Sequence, residues 1–305
     1  TTHESINTML VSEILKQKCP TFSFEFFPPK NAEASEELYQ SISMLAPLEP
    51  SFVTITYGAG GTTRELTRDL VMRLQGDNQL SVVSHLTAIN ATQDDIYAIL
   101  QKYHDNNVMN IMALRGDPPK GATHFEPCEN GFCHASDMVA FIKNKFPDMC
   151  VGVAAYPEGH PESRNRLIEM DHLKAKIDAG ADYIITQLFF DNRDFFDFME
   201  RCELAGIKVP ILPGILPITS YKSMMRMSDL AAGVRFPARL LKALSRAEDD
   251  ETFARVGVHW ATQQVLDLLH NDVRGIHFYT FNKSRYTLSI YDSLGLRTFS
   301  KPFSG

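Results

Sequence analysis

Phe22-Ser23-Phe24-Glu25-Phe26-Phe27-Pro28-Pro29 alternates aromatic and polar side chains and then stops at two prolines. Successive side chains of a strand point to opposite faces, so Phe22, Phe24 and Phe26 share one face and Ser23 and Glu25 the other. Seven further apolar runs follow: Phe52 to Tyr57, Ser81 to Leu86, Val108 to Leu114, Cys150 to Tyr156, Asp182 to Leu188, Val209 to Ile215 and Gly275 to Phe281. Their β-branched and aromatic content, with turn residues just beyond, reads as buried strand.

Helix-length amphipathic stretches separate most of these runs: Ser35 to Leu45, Thr63 to Leu74, Thr92 to His104, Ala135 to Asn144, Arg164 to Ala179, Arg193 to Ala205 and Thr219 to Met227. Thr92 with Asp95 is a capping signal, and Gly180 and Gly206 are natural stops. A strand about every 30 residues, with no linker between, predicts one α/β domain over residues 1–305, a single (β/α)8 TIM barrel. Ile6 to Leu15 is expected to pack beneath the barrel or against its last helix. The interval between strands seven and eight is twice the usual length and holds two helical patterns, Ala238 to Ser245 and Thr252 to Leu269, hence an extra helix. A doubly wound sheet is the rival, and it should carry Gly-x-Gly-x-x-Gly after a strand. Gly58, Gly60 and Gly61 come nearest, but Thr63 stands where the third glycine belongs.

The 305 residues carry a formal net charge of −7, which gives no electrostatic footprint for nucleic acid. No apolar stretch is long enough to cross a bilayer, and Thr1 to Lys18 lacks a signal-peptide core, so a soluble cytoplasmic protein without membrane attachment is expected. The five cysteines, Cys19, Cys128, Cys133, Cys150 and Cys202, show no framework spacing and read as reduced thiols. His124, Cys128, Cys133 and His134 cluster in a loop-like stretch, but their spacing matches none of the usual zinc pairs, so no metal is expected.

In such a barrel every βα loop opens at the C-terminal rim, where the chemistry gathers. The alternation in the first strand turns Glu25 into the barrel near that rim. Among phenylalanines its charged form is disfavoured, so its pKa is expected to rise and the group to serve as a general acid. The alternative is a glutamate paired to an interior Arg or Lys. Arg115 and Asp117 flank Gly116, where a flat or phosphorylated ligand could approach closely; a local Arg–Asp pair capping a turn is the other reading. Thr56, Tyr57 and His85 end neighbouring strands. In Tyr156-Pro157-Glu158-Gly159-His160-Pro161-Glu162 the prolines and glycine break any helix that would align Glu158 with His160. His160 is therefore expected to donate a hydrogen bond to a ligand, not to bind metal. Lys174 and Lys176 could reach a phosphate or form a solvated helix face. Gln187, an amide in an apolar strand, could recognise the mixed edge of a heterocycle.

The segments Ser23 to Pro29, Thr54 to Ala59, Ala113 to Asp117, Ala155 to Glu162, Asp178 to Asp182, Thr186 to Asp191, Pro213 to Pro217 and His277 to Asn282 together resemble the methylenetetrahydrofolate reductase family, in order and over almost the whole length. The resemblance implies a FAD-containing barrel that reduces 5,10-methylenetetrahydrofolate to 5-methyltetrahydrofolate with NADH or NADPH, by ping-pong turnover, feeding methionine synthesis. It implies the short, bacterial type with the catalytic barrel and no regulatory domain, and a homo-oligomer. Carried over by motif, Glu25 resembles the proton donor to the folate amine nitrogen. Asp117 resembles the aspartate facing pterin and flavin, and Gln187 the glutamine that contacts substrate. Thr56, Tyr57, Ala59, His85, Arg115, Gly116, Asp117, Ala135, Tyr156, His160 and Lys176 match flavin-contacting positions, and Tyr221, Met227 and Lys283 join Gln187 on the substrate side. Some positions depart from relatives. His134 stands where some have tyrosine, and Glu169 and His172 replace side chains near the flavin phosphates. Met227 fills a slot that is aromatic in some members. Lys283 replaces a typical arginine, keeping the charge without the planar fork. Two other readings use the same barrel: a flavin-free pterin-binding protein in methyl transfer, and a catalytically silent interaction module.

Overall fold

The computed structural model describes residues 9–43, 45–57, 61–77, 80–116, 126–231 and 233–296. Among them, nine strands form one sheet: β1 (Thr21–Phe26), β2 (Phe52–Ile55), β3 (Val82–Thr87), β4 (Asn110–Leu114), β5 (Cys150–Ala155), β6 (Tyr183–Thr186), β7 (Ile211–Leu212), β8 (Gly214–Ile215) and β9 (Gly275–Tyr279). Their order is β7-β6-β5-β4-β3-β2-β1-β9-β8, and all recorded pairs are parallel. The two shortest strands are halves of the predicted seventh strand, interrupted at Pro213, which has no N–H for the ladder. One half pairs with β6 and the other with β9, and His277 donates its backbone N–H to Pro213 at 3.0 Å. The ends of the sheet meet there, giving the predicted (β/α)8 barrel.

The helices are α1 (Val11–Gln17), α2 (Ala32–Ser43), α3 (Gly61–Asp77), α4 (Gln93–Asp105), α5 (Ala135–Lys145), α6 (Arg166–Asp178), α7 (Asn192–Leu204), α8 (Tyr221–Leu230), α9 (Ala238–Leu244), α10 (Asp250–His270) and α11 (Ser284–Ser293). Thr92 caps α4 as expected, accepting from the Asp95 N–H, and Gly180 and Gly206 lie just beyond α6 and α7. The long interval before the last strand holds α9 and α10.

Alternation along the strands sorts two cores. Phe24, Phe26, Val53, Ile55, Ile111, Val151, Ile184 and Phe278 face outward against the helices. Each side chain buried this fully stabilises the fold by about 1.5–3 kcal/mol relative to exposure. The other parity fills the barrel's lower interior with Phe52, Val83, Met112, Cys150, Tyr183, Ile185 and Leu212, and α1 adds Val11 and Leu15. This helix lies across the strand N-termini. Val11 N–H donates to Asn110 Oδ1 at 2.9 Å, Ser81 Oγ to the Met9 carbonyl at 3.0 Å, and Arg274 to the Leu15 carbonyl. The leading segment thus packs beneath the barrel, the first of the two expected positions. A third, smaller core joins Leu188, Phe190, Leu216, Ile218, Met227, Leu240 and Leu244. No helix among the described residues is long and apolar enough to cross a membrane.

Candidate functional site

Glu25, Thr54, His85 and His277 sit on adjacent strands with one parity, so all four point into the barrel near its C-terminal rim. The register pairs Glu25 with Thr54 and Ser23 with His277. Three groups converge on one carboxylate oxygen, Glu25 Oε2. Thr54 Oγ1 donates at 3.0 Å, His277 Nε2 lies at 3.2 Å, and His85 Nε2 approaches to 3.3 Å outside hydrogen-bonding alignment. His277 is fully buried, stacked on Phe52 and edge-on to Tyr279, and its Nδ1 is 2.8 Å from Ser23 Oγ. A carboxylate can only accept, so the Nε2 hydrogen belongs to the imidazole. Ser23 then either donates to Nδ1 or accepts from it, according to whether the ring is neutral or charged.

This geometry corrects the expected direction of the Glu25 pKa. Burial pushes the carboxyl up, but the His85 charge, the hydrogen bond from His277, the close approach of His85 Nε2 and the His277 charge outweigh it and hold the group well below its ordinary value. The phenylalanines of β1 face the helices. What Glu25 meets inside is two imidazoles and a hydroxyl, and nearby positive charge favours a carboxylate. Its partners are histidines rather than the Arg or Lys of the alternative reading. At rest the proton of the Glu25–His277 pair resides on nitrogen.

On the β3 to β6 side, Gly116 follows β4 with φ +89°, and a Cβ there would lie 2.8 Å from Ile89 Cγ2. Only glycine lets the chain turn at that point. The neighbouring Arg115 pairs with Glu162 at 2.7 Å, and Lys176 Nζ donates to the Ala154 carbonyl at 3.0 Å. Burial pushes the Lys176 amine down to about 8, against the pull of Glu169 and with a push from Arg115. Two mutually repelling cations beside a glycine turn form a donor set that suits a diphosphate, and to that extent the residues present fit a flavin dinucleotide. Tyr156 and His160 meet edge to face at 4.7 Å, and His160 Nδ1 accepts from the Glu162 N–H, which leaves Nε2 as the ring's donor in the neutral form. Glu158 turns away to Arg235 at 3.3 Å, so it does not join His160, as the broken helix implied. Thr56 donates its N–H to the Phe26 carbonyl, Tyr57 lies under the Arg64 guanidinium, and Ala135 opens α5. Lys174 belongs to the surface, paired with Asp178 at 2.5 Å. Asp117, Ala59 and His124 lie outside the described residues. Among those described, no group of three or more His, Cys, Asp or Glu could hold a metal ion.

Gln187 directly follows the last residue of β6. Its N–H donates to the Ala155 carbonyl at 2.7 Å and its Oε1 accepts from the Leu188 N–H at 3.0 Å. A cavity of about 240 Å³ is lined by Lys222, Ser223, Arg226, Thr280, Phe281 and Lys283, among others. Glu25 and Gln187 do not line it. It adjoins Glu25 through Thr280, whose Oγ1 donates to the Glu25 carbonyl at 2.7 Å. Lys283 thus stands where a carboxylate-bearing ligand could reach it. Tyr221 projects into solvent at the start of α8, whereas Met227 is 1% exposed and supports the wall from behind. Ser23, Thr54 and His277 received no role from the sequence. The signal was a polar residue at an inward position of three adjacent apolar strands, readable only once the register was known.

The sequence profile described as methylenetetrahydrofolate reductase matches residues 10–295. The chain is 39% identical over 276 residues to the 5,10-methylenetetrahydrofolate reductase of Escherichia coli (strain K12), covering 90% of each. It is 38% identical over 306 residues to methylenetetrahydrofolate reductase (NADH) 1 of Arabidopsis thaliana, covering 95% of this chain but 51% of that relative. The chain therefore spans about half the length of the plant relative and most of the bacterial one. Among solved structures, a Clostridium thermocellum protein described as binding two copies of 5-methyl-5,6,7,8-tetrahydrofolic acid shares the fold, with a TM-score of 0.66 at 18% identity over 95% of this chain and 100% of that one.

Proposed function

This chain belongs to the methylenetetrahydrofolate reductase family, and from that premise we propose that it reduces 5,10-methylenetetrahydrofolate to 5-methyltetrahydrofolate, with FAD as resident cofactor and NADH or NADPH as donor, in ping-pong order. The observation that carries this reading is the inward carboxyl of Glu25, tied to His277 and through it to Ser23.

The reaction needs one proton and one hydride per turnover. Protonating the bridging amine nitrogen lets its bond to the one-carbon unit break, leaving an iminium carbon on the other nitrogen. Bound flavin would supply the hydride that reduces that carbon. Glu25 supplies the proton. When the His277 ring carries both hydrogens, its Nε2 proton would pass to the carboxyl and on to the amine nitrogen, leaving a neutral ring whose Nδ1–H stays donated to Ser23. Gln187 would hold the pterin edge with its amide, and Lys283 the tail carboxylate. Arg115 and Lys176 would hold the flavin diphosphate beside Gly116, with Thr56, Tyr57, Ala59, His85, Ala135, Tyr156 and His160 around it. Asp117 would face pterin and flavin.

The 305 residues would act as one catalytic barrel, and copies would associate as a homo-oligomer supplying methyl groups for methionine synthesis. An absorption spectrum of the purified protein tests the reading. A flavin band should be bleached anaerobically by NADH or NADPH and restored by 5,10-methylenetetrahydrofolate. A colourless protein that binds folate would instead favour flavin-free methyl transfer.

A further inference from the structure

The segment from Thr186 to Asp191, which carries Gln187, runs from β6 to α7 with little backbone pairing of its own. Buried carbonyls still require donors. Three side chains from outside the segment provide them. Tyr279 Oη donates to the Thr186 carbonyl at 2.7 Å, Gln264 Nε2 to Phe189 at 3.0 Å and Trp260 Nε1 to Phe190 at 2.9 Å. Phe189 and Phe190 are both buried, so water does not compete for these carbonyls. Gln264 and Asn192, the first residue of α7, are tied to each other as well: Gln264 Nε2 donates to Asn192 Oδ1 at 3.2 Å and Asn192 Nδ2 to the Gln264 carbonyl at 3.0 Å.

Trp260 and Gln264 lie on α10 at a spacing of four, and Gly257 lies three residues before Trp260, so the three share one helix face. A Cβ at Gly257 would stand 1.6 Å from the Ile218 carbonyl oxygen. The missing side chain lets α10 touch the backbone that leads to Ser220, the cap of α8. One face of one helix therefore fixes both the Gln187 segment and the start of the helix that carries Ser223, Arg226 and Met227. Leu188, Phe190, Ile218, Met227 and Trp260 pack together in the third core, apart from the flavin-side residues.

We infer that Gly257, Trp260 and Gln264 of α10 are positioning residues for the folate subsite, setting where Gln187 and the first turn of α8 stand without touching substrate. The inference rests on the proposed folate reductase activity for the identity of the ligand, but not for the mechanical claim. Trp260 is the single tryptophan of the chain. Its indole, bonded three residues from Gln187, makes it a built-in reporter of ligand at that segment.

The test uses the flavin-loaded protein and three variants, Gln264→Met, Gly257→Ala and the milder Trp260→Phe. Hydrogen exchange over residues 187–191 should quicken roughly tenfold in Gln264→Met, the worth of about one buried hydrogen bond. The KM for 5,10-methylenetetrahydrofolate should rise by a similar factor in Gln264→Met and Gly257→Ala, with flavin content and bleaching rate held. In Trp260→Phe the rise should be smaller. Folate should change Trp260 emission in the parent protein, at higher concentration in Gln264→Met. Unchanged exchange at 187–191, or KM shifts matched by equal loss of flavin, would overturn the inference. If exchange quickens but the parent protein neither binds nor turns over folate, the functional reading fails and the positioning role stands for another ligand.

Discussion

Ser23 Oγ lies 2.8 Å from His277 Nδ1, across the β1–β9 pair, and commits that nitrogen. The other ring nitrogen is thereby aimed at Glu25, so the carboxyl faces the barrel interior as one member of a hydrogen-bonded pair.

Replacing Glu25 with glutamine removes the proposed proton donor but keeps the shape. Folate turnover should fall by roughly 10²–10⁴-fold, the usual contribution of a general acid, while NAD(P)H still bleaches the flavin. Stopped-flow traces of the two half-reactions separate them, and undiminished folate turnover would remove Glu25 from its role.

His277→Gln should lower folate turnover by roughly one to two orders of magnitude, because the carboxyl loses its proton source. Ser23→Ala, which deletes one hydrogen bond to the ring, should cost roughly fivefold. The single-turnover rate of folate reduction by pre-reduced enzyme is the decisive readout, and an unchanged rate in both variants would show that the imidazole does not feed the carboxyl.

Glu25 also leaves a mark on stability. Its ordinary value is 4.5 and its folded value is held lower, so as pH falls the unfolded chain takes up this proton first. The stabilisation is complete above about pH 4.5 and shrinks as pH drops toward the folded value. Thermal melts of parent protein and Glu25→Gln should therefore converge between pH 6 and pH 3. A gap that widens on acidification would contradict the ion-paired carboxylate.

Lys176, with its amine pushed down to about 8, carries most of its charge at pH 7 and loses most of it by pH 9. FAD affinity should weaken across that window, by up to roughly tenfold per pH unit at its upper end. The fold itself gains stability there, because between about 8 and 10.5 the unfolded lysine binds the proton more tightly than the folded one. Lys176→Arg keeps its charge, so FAD titrations from pH 6.5 to 9.5 should give it a flat profile. An equal slope in the two proteins would place the titrating group elsewhere.

Gly116→Ala forces a methyl group against Ile89 at a positive φ. Folding should be weakened by roughly 1–3 kcal/mol and flavin retention lost with it. Full flavin content after gel filtration would show that the turn tolerates a side chain.

The strands were legible because each is an apolar run with inward and outward faces, and the βα period fixed their number and order. Helices α9 and α10 were visible as a doubled interval. The break at Pro213 was not anticipated, since the run Val209 to Ile215 reads as continuous until ladder hydrogen bonds are considered. Glu25 was placed on the correct face by alternation alone. Its charge state was misjudged because flanking phenylalanines in sequence are not flanking groups in space. Which residues meet Glu25 depends on register with β2, β3 and β9, and no local pattern encodes register between residues 252 positions apart, as Glu25 and His277 are. Met227, assigned to the substrate side, lies behind the wall because the apolar stripe of α8 faces the third core.

With α1 seated across the strand N-termini, Val11 and Leu15 wedged among Phe52, Met112 and Tyr183, the lower end of the tube is a dead end. Anything that meets Glu25 must arrive and depart by one doorway. On the proposed reaction, two bulky visitors sharing that vestibule would have to queue, and the slower of the two departures would govern traffic through the whole cycle.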